Sequence, residues 1–320
     1  MTAAEKTLDS FIDAYTEANG NTGSLRVTLK DRIVYERTIG EGITPSSMFT
    51  FYSLSKPFCA IGLLLLRDKG LVDLDSHPGR YVGGASGFDS RVTIRQMLHH
   101  TSGLPDFARI PDFDDSDGDV RKNLSALSKY PMEFEPGTSA LYSNINFNLC
   151  AMIIENVAGM PYAEYMKREL FDPIGMKTAA VDREGLEISG RVQGYEQDGE
   201  KIVPASRTMR WMVGAGDIIG TVDDAYCLNR AIKCRMLLKS VTWDEVLDPS
   251  PLNSMGMGCT VGIWHGRRRI THNGGHIGFR TLHIQLPEDD FDIVYLSNSG
   301  WGNSRNDYAE AIYSAFYGKE

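Results

Sequence analysis

The 320-residue sequence lacks the features that would place it in or across a membrane. Its most apolar run, residues 59–66, is far shorter than the ~20 residues that a membrane-spanning helix needs. The first residues, MTAAEKTLDSFIDAY, contain no charged stretch followed by an apolar one, so they do not indicate a secretory signal peptide. We therefore expect no membrane insertion and a cytoplasmic location, or a periplasmic one if the N-terminus has been trimmed.

The sequence also lacks a surplus of positive charge. It has 33 Lys and Arg against 42 Asp and Glu, a formal net charge of -9 and a pI near 5.3. Nucleic acid and anionic membrane surfaces are therefore not expected as main partners. The one basic cluster, residues 267–269, lies in a turn-like stretch and is predicted to be a solvated hairpin tip.

Paired cysteines are absent as well. The five cysteines are an odd number and contain no C-x-x-C spacing: Cys59, Cys150, Cys227, Cys234 and Cys259. Most of them lie in apolar stretches, where a free cysteine behaves as a small hydrophobic residue. The pattern favours free thiols in a reducing compartment over structural disulfides.

The pattern of apolar residues predicts strands at both ends of the chain and helices between them. The predicted strands are residues 24–30, 33–38, 259–264, 269–271, 279–286 and 292–297. The main predicted helices lie around residues 8–15, 56–69, 146–158, 162–170 and 308–316. The economical arrangement is an α/β fold with one antiparallel sheet, built from residues 1–75 and 205–320, and a mostly helical inserted lobe, 76–204. The acidic segment PDFDDSDGD, residues 111–119, is predicted to be solvated surface.

The first candidate for chemistry is Ser53-Leu54-Ser55-Lys56, the one S-x-x-K in the chain. Positions i and i+3 share a helix face, so the Lys56 amine can reach the Ser53 hydroxyl. A hydroxyl needs a nearby base to become a good nucleophile, and a desolvated lysine can be that base. The helix N-terminus would favour an oxyanion at Ser53. Ser55 is predicted to face another direction, and the pattern alone arises easily by chance.

The second candidate is Tyr142-Ser143-Asn144, before a predicted long helix. A nearby ammonium stabilises a phenolate, so Tyr142 beside Lys56 could accept and return the Ser53 proton. The Asn144 amide could contact both Lys56 and a substrate carbonyl. Without the first motif, a loop tyrosine followed by a capping asparagine would be the better interpretation.

The third candidate is His272-Asn273-Gly274-Gly275. Paired glycines at a strand let a substrate lie close to the backbone, and the Gly275 N–H could hold an oxyanion together with that of Ser53. A metal site could instead use His272 and His276 with His99 and His100. The sequence contains no H-E-x-x-H and no acidic residue at ligand spacing, so no metal and no other cofactor is expected.

Taken in order, the three motifs resemble those of the serine β-lactamase and penicillin-binding-protein family. The most similar branch holds class C β-lactamases, D-aminopeptidases, D-amino-acid amidases and related esterases. Longer segments resemble the framework of that branch: MLHHTSGLPDF, FEPGTSALYSNINFNLCAMIIENVAG, LFDPIGM and RWMVGAGDIIGT. The resemblance covers residues 24–318, nearly the whole chain.

This resemblance implies an α/β sandwich with a helical lobe and an active site between them. Ser53 would be the nucleophile and Lys56 its activator, with Tyr142 as general base and acid. Asn144 would orient Lys56 and the substrate. The backbone N–H groups of Ser53 and Gly275 would form the oxyanion hole, beside substrate-binding Asn273 and Gly274.

The sequence departs from the family at His272, which stands where the family usually has the lysine of K-T-G. A histidine has a reference pKa near 6.5 and is often neutral at pH 7. That weakens carboxylate recognition and favours amides, esters or peptides without an anionic group at that point. Arg280 could restore a cation for substrate binding, or it could be an ordinary strand-surface arginine.

The expected function is therefore that of a serine hydrolase, working through an acyl-enzyme on small amides or peptides with a D-residue. A carboxylesterase, a weak β-lactamase and a DD-peptidase are alternatives with the same chemistry. A non-catalytic penicillin-binding or sensor domain is the alternative from another class. The sequence leaves the oligomeric state open.

Overall fold

The computed structural model describes residues 2–110, 119–206, 209, 211–302 and 304–318. Its strands are β1 (Gly23–Leu29), β2 (Arg32–Ile39), β3 (Phe49–Thr50), β4 (Ala180–Val181), β5 (Tyr195–Asp198), β6 (Lys201–Pro204), β7 (Ile218–Gly220), β8 (Thr260–Trp264), β9 (Arg267–Thr271), β10 (Gly274–His276), β11 (Phe279–Leu286) and β12 (Phe291–Ser297). Its α-helices are α1 (Ala3–Asn19), α2 (Ser55–Asp68), α3 (Ile94–Leu98), α4 (Val120–Leu127), α5 (Ile145–Ala158), α6 (Tyr162–Met166), α7 (Asp172–Ile174), α8 (Val222–Lys233), α9 (Ser240–Val246) and α10 (Ser304–Tyr317).

The main sheet joins the two ends of the chain, as predicted. Its strand order is β2-β1-β12-β11-β9-β8, with β10 paired to β11. The central pair, β1 and β12, runs antiparallel from Gly23 opposite Ser297 to Leu29 opposite Phe291. Because β1 and β12 are far apart in sequence, the sheet forms only when both ends of the chain are in place.

Alternate residues of β12 face two different cores. Ile293 and Tyr295 pack with α1 and α10 on one side of the sheet. Val294 and Leu296 belong to the core that contains α2, α5 and α8 on the other side. Both faces of the strand are buried, which explains why residues 293–296 form a continuous apolar run rather than an alternating pattern. The α/β sandwich is confirmed.

Helix α2 lies inside the second core and accounts for the longest apolar run in the sequence. Every residue from Ser55 to Leu66 is buried. Gly70, with φ of +74°, follows its end in the left-handed conformation that favours glycine. Within the described ranges, no helix is long and apolar enough to cross a membrane.

The basic cluster is not at a hairpin tip, so that prediction is wrong. Residues 267–269 lie within β9. The chain reverses earlier, at His265 and Gly266, which both have positive φ. Arg267 is paired with Asp289 at 2.7 Å. The reversal is therefore set by backbone conformation at two residues, and the charge run belongs to a strand.

The stretch predicted as a mostly helical lobe also contains strands. The hairpin β5–β6 and the short β4 lie within residues 76–204, and residues Lys167–Phe171 form a π-helical turn between α6 and α7. The two-part division of the chain stays a prediction. Of the acidic segment, residues 111–118 lie outside the described part.

The five cysteines are free thiols. Cys234 is exposed, and the other four are buried: Cys59, Cys150, Cys227 and Cys259. Burial raises the pKa of the Cys227 thiol to about 11 and that of Cys259 to about 12, so both stay protonated at neutral pH. These buried thiols act as small apolar side chains.

We expect Ile293→Ala to destabilise the protein by about 2–5 kcal/mol, since it leaves a cavity in a packed core. Ile293 is 0% exposed, whereas Ile263 on β8 is 70% exposed. The same substitution at Ile263 should change the free energy of unfolding by less than about 0.5 kcal/mol. Urea unfolding followed by circular dichroism measures both. Equal losses would contradict the core position of β12.

Candidate active site

Ser53 lies in a short 3₁₀ turn, Tyr52–Leu54, that leads directly into α2. Tyr52 has a φ of +46°, a left-handed conformation that is uncommon for a residue with a side chain. Its hydroxyl donates to the Ile277 carbonyl at 3.1 Å, and its ring packs edge-on against Phe279. These contacts hold the strained residue that positions Ser53 at the helix start.

Lys56 is completely buried, and its amine makes three polar contacts. It donates to Ser53 Oγ at 3.2 Å, Asn144 Oδ1 at 3.0 Å and the Ala215 carbonyl at 2.7 Å. Burial lowers the pKa of Lys56 to about 7, against the opposing influence of the Asp106 charge. At pH 7 about half of the Lys56 side chains are therefore uncharged. The structure contains the predicted contact with Ser53, and the lowered pKa agrees with the expected effect of desolvation.

Tyr142 also reaches this cluster. The Lys56 nitrogen lies 4.8 Å from the centre of the Tyr142 ring, which stacks on His100 at 4.4 Å. Although 37% of Tyr142 is exposed, protein atoms crowd its phenol, and this burial raises its pKa above the usual value, against a lowering contact with Ser53. The expectation that Lys56 would stabilise a Tyr142 phenolate is therefore wrong. The phenol stays protonated at neutral pH.

Two buried side chains, Asp106 and His100, hold the Tyr142–Asn144 loop by hydrogen bonds to its backbone. The Asn144 backbone N–H donates to Asp106 Oδ2 at 2.6 Å, and the Ser143 N–H donates to His100 Nδ1 at 3.1 Å. Asp106 and His100 are each 1% exposed. Burial lowers the pKa of His100 well below its usual value, so its Nδ1 is available as an acceptor. The loop can therefore present Asn144 to Lys56 in one orientation.

The His272–Gly275 segment closes the opposite wall. An added Cβ at Gly274 would lie 1.9 Å from the Phe51 carbonyl, so only glycine lets β10 approach the start of α2 this closely. His272 is buried, and its Nδ1 is 2.8 Å from the Asn273 carbonyl. Burial and the nearby Lys56 lower the pKa of His272 to about 3. This direction agrees with the neutral histidine expected at this position.

The other two predicted binding residues, Asn273 and Arg280, make no hydrogen bond with Ser53 or Lys56 in the described part of the chain. Asn273 has a buried side-chain oxygen with no hydrogen-bond partner among the described residues. Arg280 donates to the carbonyls of its own neighbours, His276 at 2.9 Å and Phe279 at 2.8 Å. It lines a recess of about 470 Å³ that adjoins β10 and also contains Gly275 and Arg305. The structure thus brings Arg280 beside Gly275, while its role in binding stays a prediction.

Ser53 opens into a cleft of about 310 Å³. Its lining includes both predicted oxyanion residues, Ser53 and Gly275, and Asn144. Phe107 and Trp211, stacked at 4.4 Å, form an aromatic wall. A larger cavity of about 490 Å³ is also lined by Trp211, but its lining does not include Ser53. The smaller cleft is therefore the candidate active site.

Sequence reasoning missed several residues of this site. Asp106 and His100 lie in the segment MLHHTSGLPDF; the sequence marked this segment as a framework resemblance and His100 as a possible metal ligand, but indicated no contact of either residue with the Tyr142–Asn144 loop. The Ala215 carbonyl, which receives the shortest hydrogen bond from Lys56, has no side-chain signal at all. The aromatic wall of Phe107 and Trp211 comes from two distant loops. Among the described residues, no three His, Cys, Asp or Glu side chains gather as metal ligands do.

We expect the reaction of Ser53 with a fluorophosphonate to speed up with rising pH and to level off above about 7, as Lys56 loses its proton. Lys56→Met should slow this reaction about 10²- to 10⁴-fold. Lys6→Met, at an exposed lysine of α1, is the matched control and should have no effect. Mass spectrometry of labelled Ser53 gives the rates. A midpoint near the ordinary lysine value, or an unaffected Lys56→Met variant, would contradict the assignment.

Comparison with known proteins identifies the family of the chain. The model of the Beta-lactamase family matches residues 8–315. A penicillin-binding protein of Bacillus subtilis (strain 168) is 27% identical over 97% of this chain and 74% of its own length. A D-aminopeptidase of Gluconobacter oxydans (strain 621H) is 24% identical over 80% of this chain, but over 50% of its own length.

Solved structures show the same fold. A D-stereospecific amidohydrolase from Streptomyces sp. has a TM-score of 0.83 and 23% identity, with 99% of each chain covered. A D-amino acid amidase from Ochrobactrum anthropi SV3 has a TM-score of 0.83 and 22% identity, with 99% of this chain and 100% of its own covered. Because the family match spans nearly the whole chain, this protein belongs to the Beta-lactamase family.

Proposed function

We propose that this protein is a serine hydrolase that cleaves small amides or peptides with a D-residue through an acyl-enzyme on Ser53. The observation that carries the proposal is the buried Lys56 amine, 3.2 Å from Ser53 Oγ and with a pKa near 7. An uncharged amine at this distance can take the hydroxyl proton and so make Ser53 a nucleophile. The three contacts of the amine hold it in place for that transfer.

In the acylation step, Ser53 Oγ bonds to the substrate carbonyl carbon while its proton passes to Lys56. The negative charge moves to the carbonyl oxygen, where the N–H groups of Ser53 and Gly275 would hold it. Both residues line the same cleft, with Ser53 just before the N-terminus of α2. The partial positive charge of that helix end favours the oxyanion as well.

Tyr142 can act as a proton relay in this scheme. Its phenol is protonated at neutral pH, so it can donate a proton to the leaving amine while the Lys56 ammonium replaces that proton. In deacylation the transfers reverse: water gives a proton to the Tyr142 oxygen, and the phenol proton returns to uncharged Lys56. The water oxygen attacks the ester, and Ser53 Oγ leaves and takes back its proton from the Lys56 ammonium, which becomes uncharged again. No free phenolate is needed.

The described lining of the cleft offers no cation to bind a substrate carboxylate. Its volume of about 310 Å³ suits a small molecule. The described residues that line it carry no Asp, Glu, Lys or Arg, and burial and Arg280 lower the pKa of His276. His272 is neutral too. Names of similar proteins, the D-aminopeptidase and the D-amino acid amidase, support the choice of D-residue amides.

A substrate panel tests this function. We expect p-nitroanilides of D-amino acids to be cleaved faster than those of L-amino acids, p-nitrophenyl esters or nitrocefin. Ser53→Ala should lose about 10³-fold or more in kcat/KM, because no other group replaces the nucleophile. Ser10→Ala, at an exposed serine of α1, is the matched control and should keep wild-type rates.

Three other results of the substrate panel would replace or overturn this proposed function. Faster cleavage of esters or nitrocefin, lost in Ser53→Ala, would replace the D-amide assignment by an esterase or a β-lactamase. Unchanged turnover in Ser53→Ala would overturn the acyl-enzyme mechanism. Stable labelling of Ser53 by a fluorescent penicillin with no turnover of any substrate would indicate a binding or sensor protein.

A further inference from the structure

Residues 211–217 pass between α2 and α5 in a tightly fixed conformation. An added Cβ at Gly214 would lie 2.5 Å from the Phe147 carbonyl and 3.1 Å from Cys59 Sγ. Asn148 on α5 donates its side-chain amide to two carbonyls of the segment, at 2.9 and 2.7 Å. The N–H of Ile218, just after the segment, donates to Ser55 Oγ at 3.0 Å. Ser55 therefore faces away from Ser53, as predicted, and fixes the end of this segment.

The Asp217 side chain turns back and closes the segment into a turn. Its Oδ2 accepts the Gly214 backbone N–H at 2.9 Å. The next carbonyl along, that of Ala215, accepts a hydrogen bond from the Lys56 amine at 2.7 Å. This is the shortest of the three Lys56 contacts, the others being 3.0 Å and 3.2 Å. The turn that Asp217 closes therefore contains the Ala215 carbonyl, which accepts the hydrogen bond from the Lys56 amine.

Asp217 is also an ionisable group in a nearly dry environment. It is 2% exposed, and its Oδ1 has no hydrogen-bond partner within the described part of the chain. Burial raises the pKa of Asp217 to about 7, although the Gly214 N–H and the Lys56 charge lower it. The Asp217 charge in turn raises the pKa of Lys56. Each group therefore influences the ionisation of the other.

Several other titratable groups lie near Lys56 or Asp217 and interact with one or both of them. Asp106 and Cys59 also act on Lys56, and Asp106 reaches it through the Asn144 backbone. The His100 and His272 rings face Lys56 and are kept neutral mainly by burial. Asp182 faces Asp217 and forms an ion pair with Arg191. Asp106 and Asp217 therefore both raise the pKa of Lys56, and each holds a different backbone segment next to its amine.

We propose that Asp217 is a positioning residue for the Ser53–Lys56 pair. It holds the turn that presents the Ala215 carbonyl to the Lys56 amine. Its negative charge stabilises the ammonium that forms when Ser53 gives up its proton. The inference rests on the proposed function, in which Lys56 is that base.

Two substitutions separate the structural and electrostatic parts of this role. Asp217→Asn keeps an oxygen that can accept the Gly214 N–H but removes the charge. Because the Lys56 ammonium is then less stabilised, the pH midpoint of Ser53 labelling by a fluorophosphonate should fall by about half a unit or more. Asp217→Ala also removes the acceptor, so the rate at high pH should fall about 10-fold or more as Lys56 loses its position.

Asp292→Asn is the matched control. Asp292 is 3% exposed, and burial raises the pKa of its carboxyl to about 6, but it lies on β12 and contacts Thr28. The control should keep the wild-type midpoint. An unchanged or higher midpoint in Asp217→Asn would overturn the electrostatic role. A wild-type rate in Asp217→Ala would overturn the positioning role.

A reciprocal measurement uses the Asp217 carboxyl itself and needs no reaction at Ser53. Since the Lys56 charge lowers the pKa of Asp217, Lys56→Met should raise the titration midpoint of the Asp217 carboxyl carbon in a ¹³C NMR titration. An unchanged midpoint would overturn the coupling, even if a variant at position 217 did not fold. Failure of the substrate panel with a shifted Asp217 midpoint would instead count against the proposed function alone.

Discussion

The structure of this site depends on the burial of one lysine amine. Water would hold Lys56 in its charged form, and the charged form cannot accept a proton from Ser53. By enclosing the side chain completely, the protein lowers the pKa of Lys56 to about 7 and gives up favourable hydration. The three oxygen acceptors around the amine compensate part of that loss and fix its direction. The packing that buries Lys56 is therefore also what allows its amine to accept a proton.

The fold supplies the walls that make this burial possible. Ser53 lies in the 3₁₀ turn just before α2 and Lys56 in the first turn of that helix, whose apolar length anchors it in the core. Helix α5 begins at the loop that presents Asn144, and β10 can approach because Gly274 has no side chain. These elements come from three distant parts of the sequence. The sheet of N- and C-terminal strands holds them together, since β10 pairs with β11 beside β12.

Features that depend on residues close together in the sequence could be predicted from it. The i, i+3 spacing of Ser53 and Lys56 predicted their contact, and continuous apolar runs predicted the buried strands. The pKa of Tyr142 was predicted in the wrong direction, because desolvation depends on packing around the phenol and not on its neighbours in sequence. The Ala215 carbonyl was not predictable, since a backbone acceptor has no side-chain signature. The hairpin β5–β6 was missed because its strands are short, polar and largely exposed.

The proposed reaction depends on Lys56 losing its proton near neutral pH because the side chain is buried. An NMR titration of the Lys56 side-chain nitrogen in ¹⁵N-lysine-labelled wild-type protein measures this property. We expect a midpoint near 7, more than three units below that of an ordinary lysine at about 10.4. A midpoint close to that of an ordinary lysine would contradict the proposed reaction, because Lys56 would then be an ammonium at neutral pH and unable to take the Ser53 proton.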